Sequence, residues 1–110
     1  MDSRDQRLAL NQTLFRQVNE RVAEVAHTLV ADEPVQYEFF CECSDAACVQ
    51  RLELTLGEYE SLRATPSRFA IAPGHEYPHI EQLIRRNDRY DVVEKLEEAG
   101  EMAAARDPRA

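Results

Sequence analysis

Three thiols fall within eight residues, at Cys41, Cys43 and Cys48, and an imidazole, His75, follows a Pro73-Gly74 pair further along the chain. These are the only cysteines in the sequence. An odd number in one tight cluster is unlike the even, dispersed framework of a small disulfide-bonded secreted domain, and it suits metal ligation. The segment Val35 to Cys43 alternates apolar and polar residues with period two, so Cys41 and Cys43 share one face of an expected strand. Their Cα atoms would then lie roughly 6.5–7 Å apart, at the limit for a disulfide. A zinc ion with Zn–S bonds of about 2.3 Å spans such a gap, because its ligand sulfurs sit at separate corners of a tetrahedron. A four-residue turn, Ser44 to Ala47, returns Cys48 to the same place. Three thiolates call for a fourth ligand, and the Pro-Gly turn presents His75 at a fixed point.

Other arrangements compete. His79 lies four residues after His75, so Cys43, Cys48, His75 and His79 would make a two-cysteine, two-histidine set with Cys41 as a spectator. Water in the fourth position would make the metal open and catalytic, with Glu42, Asp45 or Glu76 as a general base. Three neighbouring cysteines can also be small buried apolar residues that bind nothing. His27, inside the first helical pattern, reads as a helix-face histidine.

The elements that must position these residues are readable from periodicity. Leu8, Phe15, Val18, Val22, Val25 and Leu29 recur at helical spacing and predict one long helix over 4–31, whose apolar stripe is either its core-facing side or a partner surface that a small sheet leaves uncovered. Ser3-Arg4-Asp5-Gln6 has the form of a capping box, and Asp32-Glu33-Pro34 stops the helix. A hairpin follows, its second strand running from Val49 to Thr55. Thr55-Leu56-Gly57-Glu58 is a second capping box and opens a short helix through Arg63. Arg68 to Ala72 reads as a strand. Residues 79–86 fit either period, and Asn87-Asp88-Arg89 before Tyr90–Lys95 favours a second hairpin. Glu97 to Arg106 predicts a C-terminal helix, followed by a frayed tail. The expected architecture is a single zinc-stabilised α+β domain over 1–110: N-terminal helix (1–31), small sheet with the metal site (35–96), C-terminal helix and tail (97–110).

Composition narrows the function classes. The 110 residues are 44% hydrophobic and 31% charged, and the net charge of −8 would repel a phosphate backbone, so nucleic acid is not an expected partner. Arg85, Arg86 and Arg89 make at most a local basic patch. No apolar run reaches the ~20 residues of a membrane helix, and the N-terminus lacks the pattern of a signal peptide, so the expected compartment is the cytoplasm, with no membrane association.

Leu14 to Arg21, Phe40-Cys41-Glu42-Cys43 with Cys48, Glu58-Tyr59-Glu60 with Arg63, Phe69 through Pro73-Gly74-His75, Val92-Val93-Glu94-Lys95 and Asp107-Pro108-Arg109 together resemble a group of small actinobacterial proteins. The resemblance spans nearly the whole chain. It implies a bacterial cytoplasmic protein whose cysteine and Gly-His segments belong to one domain, and it brings no activity and no established metal.

Three functions fit these features. The first is a regulatory or adaptor module held by a structural zinc, with a protein partner or a second copy meeting the long helix. The second is a zinc-thiolate redox switch, Cys43 and Cys48 forming a disulfide as metal leaves. The third is a zinc hydrolase or deaminase, for which no His-Glu-x-x-His, His-x-Glu with downstream Cys-x-x-Cys, or serine elbow is present. Glu58 and Glu60 offer paired carboxylates, but they point in different directions from a short helix.

Overall fold

The computed structural model describes residues 2–29 and 35–109. These residues form three helices and two small antiparallel sheets, an α+β fold. Helix α1 runs Ser3–Thr28. Its cap is Asp2, whose carboxylate accepts the Asp5 N–H at 2.8 Å, so the capping position lies one residue before the expected Ser3 box. A charged acceptor at a helix N-terminus satisfies an orphan donor and complements the helix dipole. The expected stop at Asp32-Glu33-Pro34 lies outside the described residues.

The orientation of α1 goes against the core-facing alternative for its apolar stripe. Leu14, Val18, Val25 and Leu29 are exposed, and Leu8, Phe15 and Val22 are only half-buried. The buried face is Ala9, Gln12, Thr13, Arg16, Asn19, Glu20, Ala23 and Ala26. The surface beneath this helix offers carboxylates and backbone groups, which only polar side chains can satisfy. The alanines bring the helix close enough for those side chains to reach.

Strands β1 (Gln36–Phe40) and β2 (Arg51–Thr55) pair antiparallel, with Phe39 opposite Leu52. The expected strand continued to Cys43, but the pairing ends one bond later, where the Cys41 N–H donates to Gln50 O at 3.0 Å. The next residue changes partner: the Glu42 N–H donates to Ala70 O at 2.8 Å, joining the two sheets. Val49 lies outside the second strand and is exposed.

Helix α2 (Leu56–Arg63) carries the expected capping box of Thr55 and Glu58. Strands β3 (Arg68–Ile71), β4 (Glu81–Arg86) and β5 (Asp91–Lys95) form the second sheet in the order β3-β5-β4. The ambiguous stretch is therefore a strand from Glu81 onward, and an irregularity between Leu83 and Arg85 interrupts its alternation. Helix α3 (Glu97–Ala105) follows.

The core lies between the sheets and α2. Phe39 and Tyr59 stack there with ring centroids 4.5 Å apart, among Leu52, Leu54, Phe69, Ile71 and Val93. The segment after α3 is docked rather than frayed. Asp107 bonds to the buried Arg63, and Arg109 reaches Glu20 at 2.9 Å and Glu60 at 2.7 Å. No helix among the described residues is long and apolar enough to cross a membrane.

Candidate metal centre

Strand pairing delivers Cys41 and Cys43 to one end of the β1–β2 hairpin. The loop then turns on Asp45: its carboxylate accepts the Ala47 N–H at 2.9 Å and its carbonyl accepts the Cys48 N–H at 3.0 Å, which folds Cys48 back onto its neighbours. From the other sheet, β3 ends at Ile71, and the His75 N–H donates to Ala72 O at 3.0 Å, closing a turn over Pro73 and Gly74. Gly74 has φ of +84°, a conformation that a side chain would strain.

The outcome is one cluster. The ligand atoms of Cys41, Cys43, Cys48 and His75 all lie within 4.8 Å of one another. Nδ1 of His75 is 3.6 Å from the Cys41 sulfur and 3.8 Å from that of Cys48. A tetrahedron built on Zn–S bonds of about 2.3 Å has edges of roughly 3.8 Å. Cys41 and Cys43 are buried, and Cys48 and His75 are partly exposed. This set could hold a metal ion. His79 is elsewhere: it lines a separate cleft with Asp5, Ile80 and Leu96. Cys41, and not His79, belongs to the cluster.

The three sulfurs act strongly on one another. The Cys43 thiol is pulled down to about 5, chiefly by a hydrogen bond from Cys41. The same bond, together with burial, pushes Cys41 far up. Burial also raises Cys48. One thiolate forms readily and the others resist, as like charges in close contact must. A divalent ion among the sulfurs would remove that conflict. The Ala72 N–H donates to the Cys41 sulfur at 3.1 Å, a bond that also favours the thiolate.

Of the three acids considered as a general base, Glu42 is turned away from the cluster. It is fully buried and bound by Arg16, Asn19 and the Ala70 N–H. Asp45 organises the cysteine turn. Glu76 lines a cleft of about 330 Å³ with Cys43, Asp45, Gly74, His75 and Tyr77, and one of its oxygens is buried without a hydrogen-bond partner.

Other singled-out groups have structural partners. Glu58 binds Arg89 at 2.6 and 2.9 Å and accepts from the Tyr90 hydroxyl, contacts that hold its carboxyl down at about 2. Glu60 binds Arg109 and His27, so the two acids of α2 do face apart. Arg89 is thereby withdrawn from any local basic patch with Arg85 and Arg86. Burial raises the Tyr59 hydroxyl well above its usual range, and that hydroxyl donates to Glu20 at 3.4 Å.

The residues that sequence reasoning passed over are those of the polar face of α1. Their signal was present: Gln12, Arg16 and Asn19 share a helical phase with Ala9, Ala23 and Ala26, a stripe of small and polar residues. No protein-family model, curated protein or solved structure matches this chain.

Proposed function

We propose that this chain is a small zinc protein in which Cys41, Cys43, Cys48 and His75 hold one Zn²⁺ as a closed structural site within a single domain spanning 1–110. The carrying observation is the convergence of these four ligand atoms within 4.8 Å. Thiolate-rich tetrahedral sets suit zinc, and four protein ligands leave no position for substrate water. Binding free energy of such an ion becomes folding free energy, which matters for a chain of 110 residues.

The role that follows is that of a bacterial, cytoplasmic regulatory or adaptor module rather than an enzyme. Its contact surface is the outward face of α1, where Leu14, Val18, Val25 and Leu29 are presented to a protein partner or a second copy. Elemental analysis of purified protein tests the centre. One zinc per chain is expected, with loss in Cys48→Ser and His75→Ala and retention in His79→Ala. A metal-free wild type ends this reading. The adaptor role predicts self-association or a captured partner that Val18→Lys abolishes; a monomer with no partner counts against it.

A second reading is favoured by the partial exposure of Cys48 beside Cys43. Peroxide would take two electrons from these thiolates and be reduced to water as their disulfide forms and the ion departs. Zinc release at modest peroxide supports this switch, and retention excludes it.

A further inference from the structure

We propose that Arg16 and Asn19 are positioning residues of the metal centre, acting through Glu42, so that metal binding and the docking of α1 are one linked equilibrium. This inference rests on the four-ligand site proposed above.

The grip follows the alternation of the ligand segment. Cys41 and Cys43 enter the cluster, while the residues flanking and separating them, Phe40, Glu42 and Ser44, are each held by α1. The Asn19 side chain accepts the Phe40 N–H at 2.7 Å and donates to Phe40 O at 2.9 Å. The Glu42 carboxylate receives Nε of Arg16 at 3.0 Å, Nη2 of Arg16 at 3.1 Å and Nδ2 of Asn19 at 3.0 Å. Nδ2 of Asn11 donates to Ser44 O at 2.8 Å. One helix face thus fixes every second residue of a segment whose other residues are ligands.

Arg16 also holds the strand that leads to the fourth ligand. Its guanidinium lies 3.9 Å from the ring centre of Phe69 and donates to the carbonyls of Pro66 and Arg68 at the start of β3. The residue just after β3, Ala72, supplies its N–H to the Cys41 sulfur and the carbonyl that sets the His75 turn. A planar five-donor fork can span both segments, which a point-charge lysine cannot.

The docked face of α1 is largely polar, so its attachment depends on partners being in place rather than on apolar area. An ion that fixes Cys41 and Cys43 also fixes Glu42, and with it the socket for Arg16 and Asn19. Linkage requires the reverse: a chain whose α1 contacts are impaired binds metal more weakly, by the same factor.

The test uses the full chain and Co²⁺, whose thiolate bands report both affinity and geometry. Arg16→Met should weaken Co²⁺ binding at least tenfold, the range seen when residues supporting metal ligands are removed. Arg16→Lys should recover part of the loss, and Glu24→Ala, on the exposed side of α1, should have no effect. In wild-type protein, stripping the metal should raise amide exchange in α1 at least tenfold more than in β5. Unchanged Co²⁺ affinity in folded Arg16→Met overturns the proposal, as does an α1 exchange rate that is unaltered or rises only in step with β5. Should Arg16→Met fail to fold, the wild-type exchange comparison decides alone. A wild type that binds no Co²⁺ removes the metal centre itself, and this inference with it.

Discussion

The side-chain amide of Asn19 meets the backbone of Phe40 as a neighbouring strand would, accepting its N–H at 2.7 Å and donating to its carbonyl at 2.9 Å. A helix side chain thus completes the outer edge of β1, where no strand lies among the described residues. Asn19→Ala strips partners from both groups and one from the Glu42 carboxylate. Unmet buried polar groups cost about 1–3 kcal/mol each, so roughly 2–4 kcal/mol of stability should be lost. Urea unfolding of the two proteins measures it, and a change under about 0.5 kcal/mol would show that water replaces the amide freely.

The two sides of α1 should respond oppositely to substitution. Val25 is 62% exposed and Ala23 is 1% exposed. Val25→Lys should leave the stability of the isolated chain within about 0.5 kcal/mol, as exposed substitutions usually do. Ala23→Leu forces extra methylenes into a closed seam and should cost about 1–3 kcal/mol. Thermal melts distinguish the two. The reverse ranking would restore the apolar stripe to the core.

The last residues bear on stability out of proportion to their number. Arg63 is buried between Glu20 and Asp107, and Arg109 also binds Glu20. Ending the chain after Arg106 leaves Glu20 and Arg63 with half of this network, and breaking a buried ion pair costs about 3–5 kcal/mol. Denaturant midpoints of the full and shortened chains provide the comparison; coincident midpoints would mean that the tail floats free.

Acid should remove a separate contribution at Glu58. Its carboxyl is held at about 2 against an ordinary value of 4.5, chiefly by Arg89. A depressed carboxylate stabilises the fold fully above its unfolded pKa and loses that contribution as pH falls through the folded one. Wild type should therefore exceed Glu58→Gln by about 1–2 kcal/mol at pH 7. The gap should narrow as pH falls from about 4.5 and close near 2. Parallel melts across that window would reveal a gap that fails to narrow.

Much of this architecture is legible in the sequence because local signals act alone. The Thr55–Glu58 box, the alternation leading to Cys41, and the Asn87–Tyr90 turn each depend on a few adjacent residues. The meeting of the three thiols with His75 was legible too, since the Ser44–Ala47 turn and the Pro73-Gly74 turn fix both approaches. What the chain concealed depends on distant partners. A helix with valines on one side and Gln12, Arg16 and Asn19 on another buries the valines unless the opposing surface is polar, and Glu42 and Glu81 make it so. Nothing near residue 16 announces residue 42. The docked tail was hidden for the same reason, because Asp107 and Arg109 look solvent-loving until Arg63 and Glu20 are known to be waiting.

The bond between Glu20 and Arg109 spans 89 positions of the chain. During synthesis α1 emerges long before Arg109, so its seat against the rest of the fold is not complete until that residue has followed. Arg63 is available to the carboxylate of Glu20 first and Arg109 only later, so this seam closes in two steps as the chain lengthens.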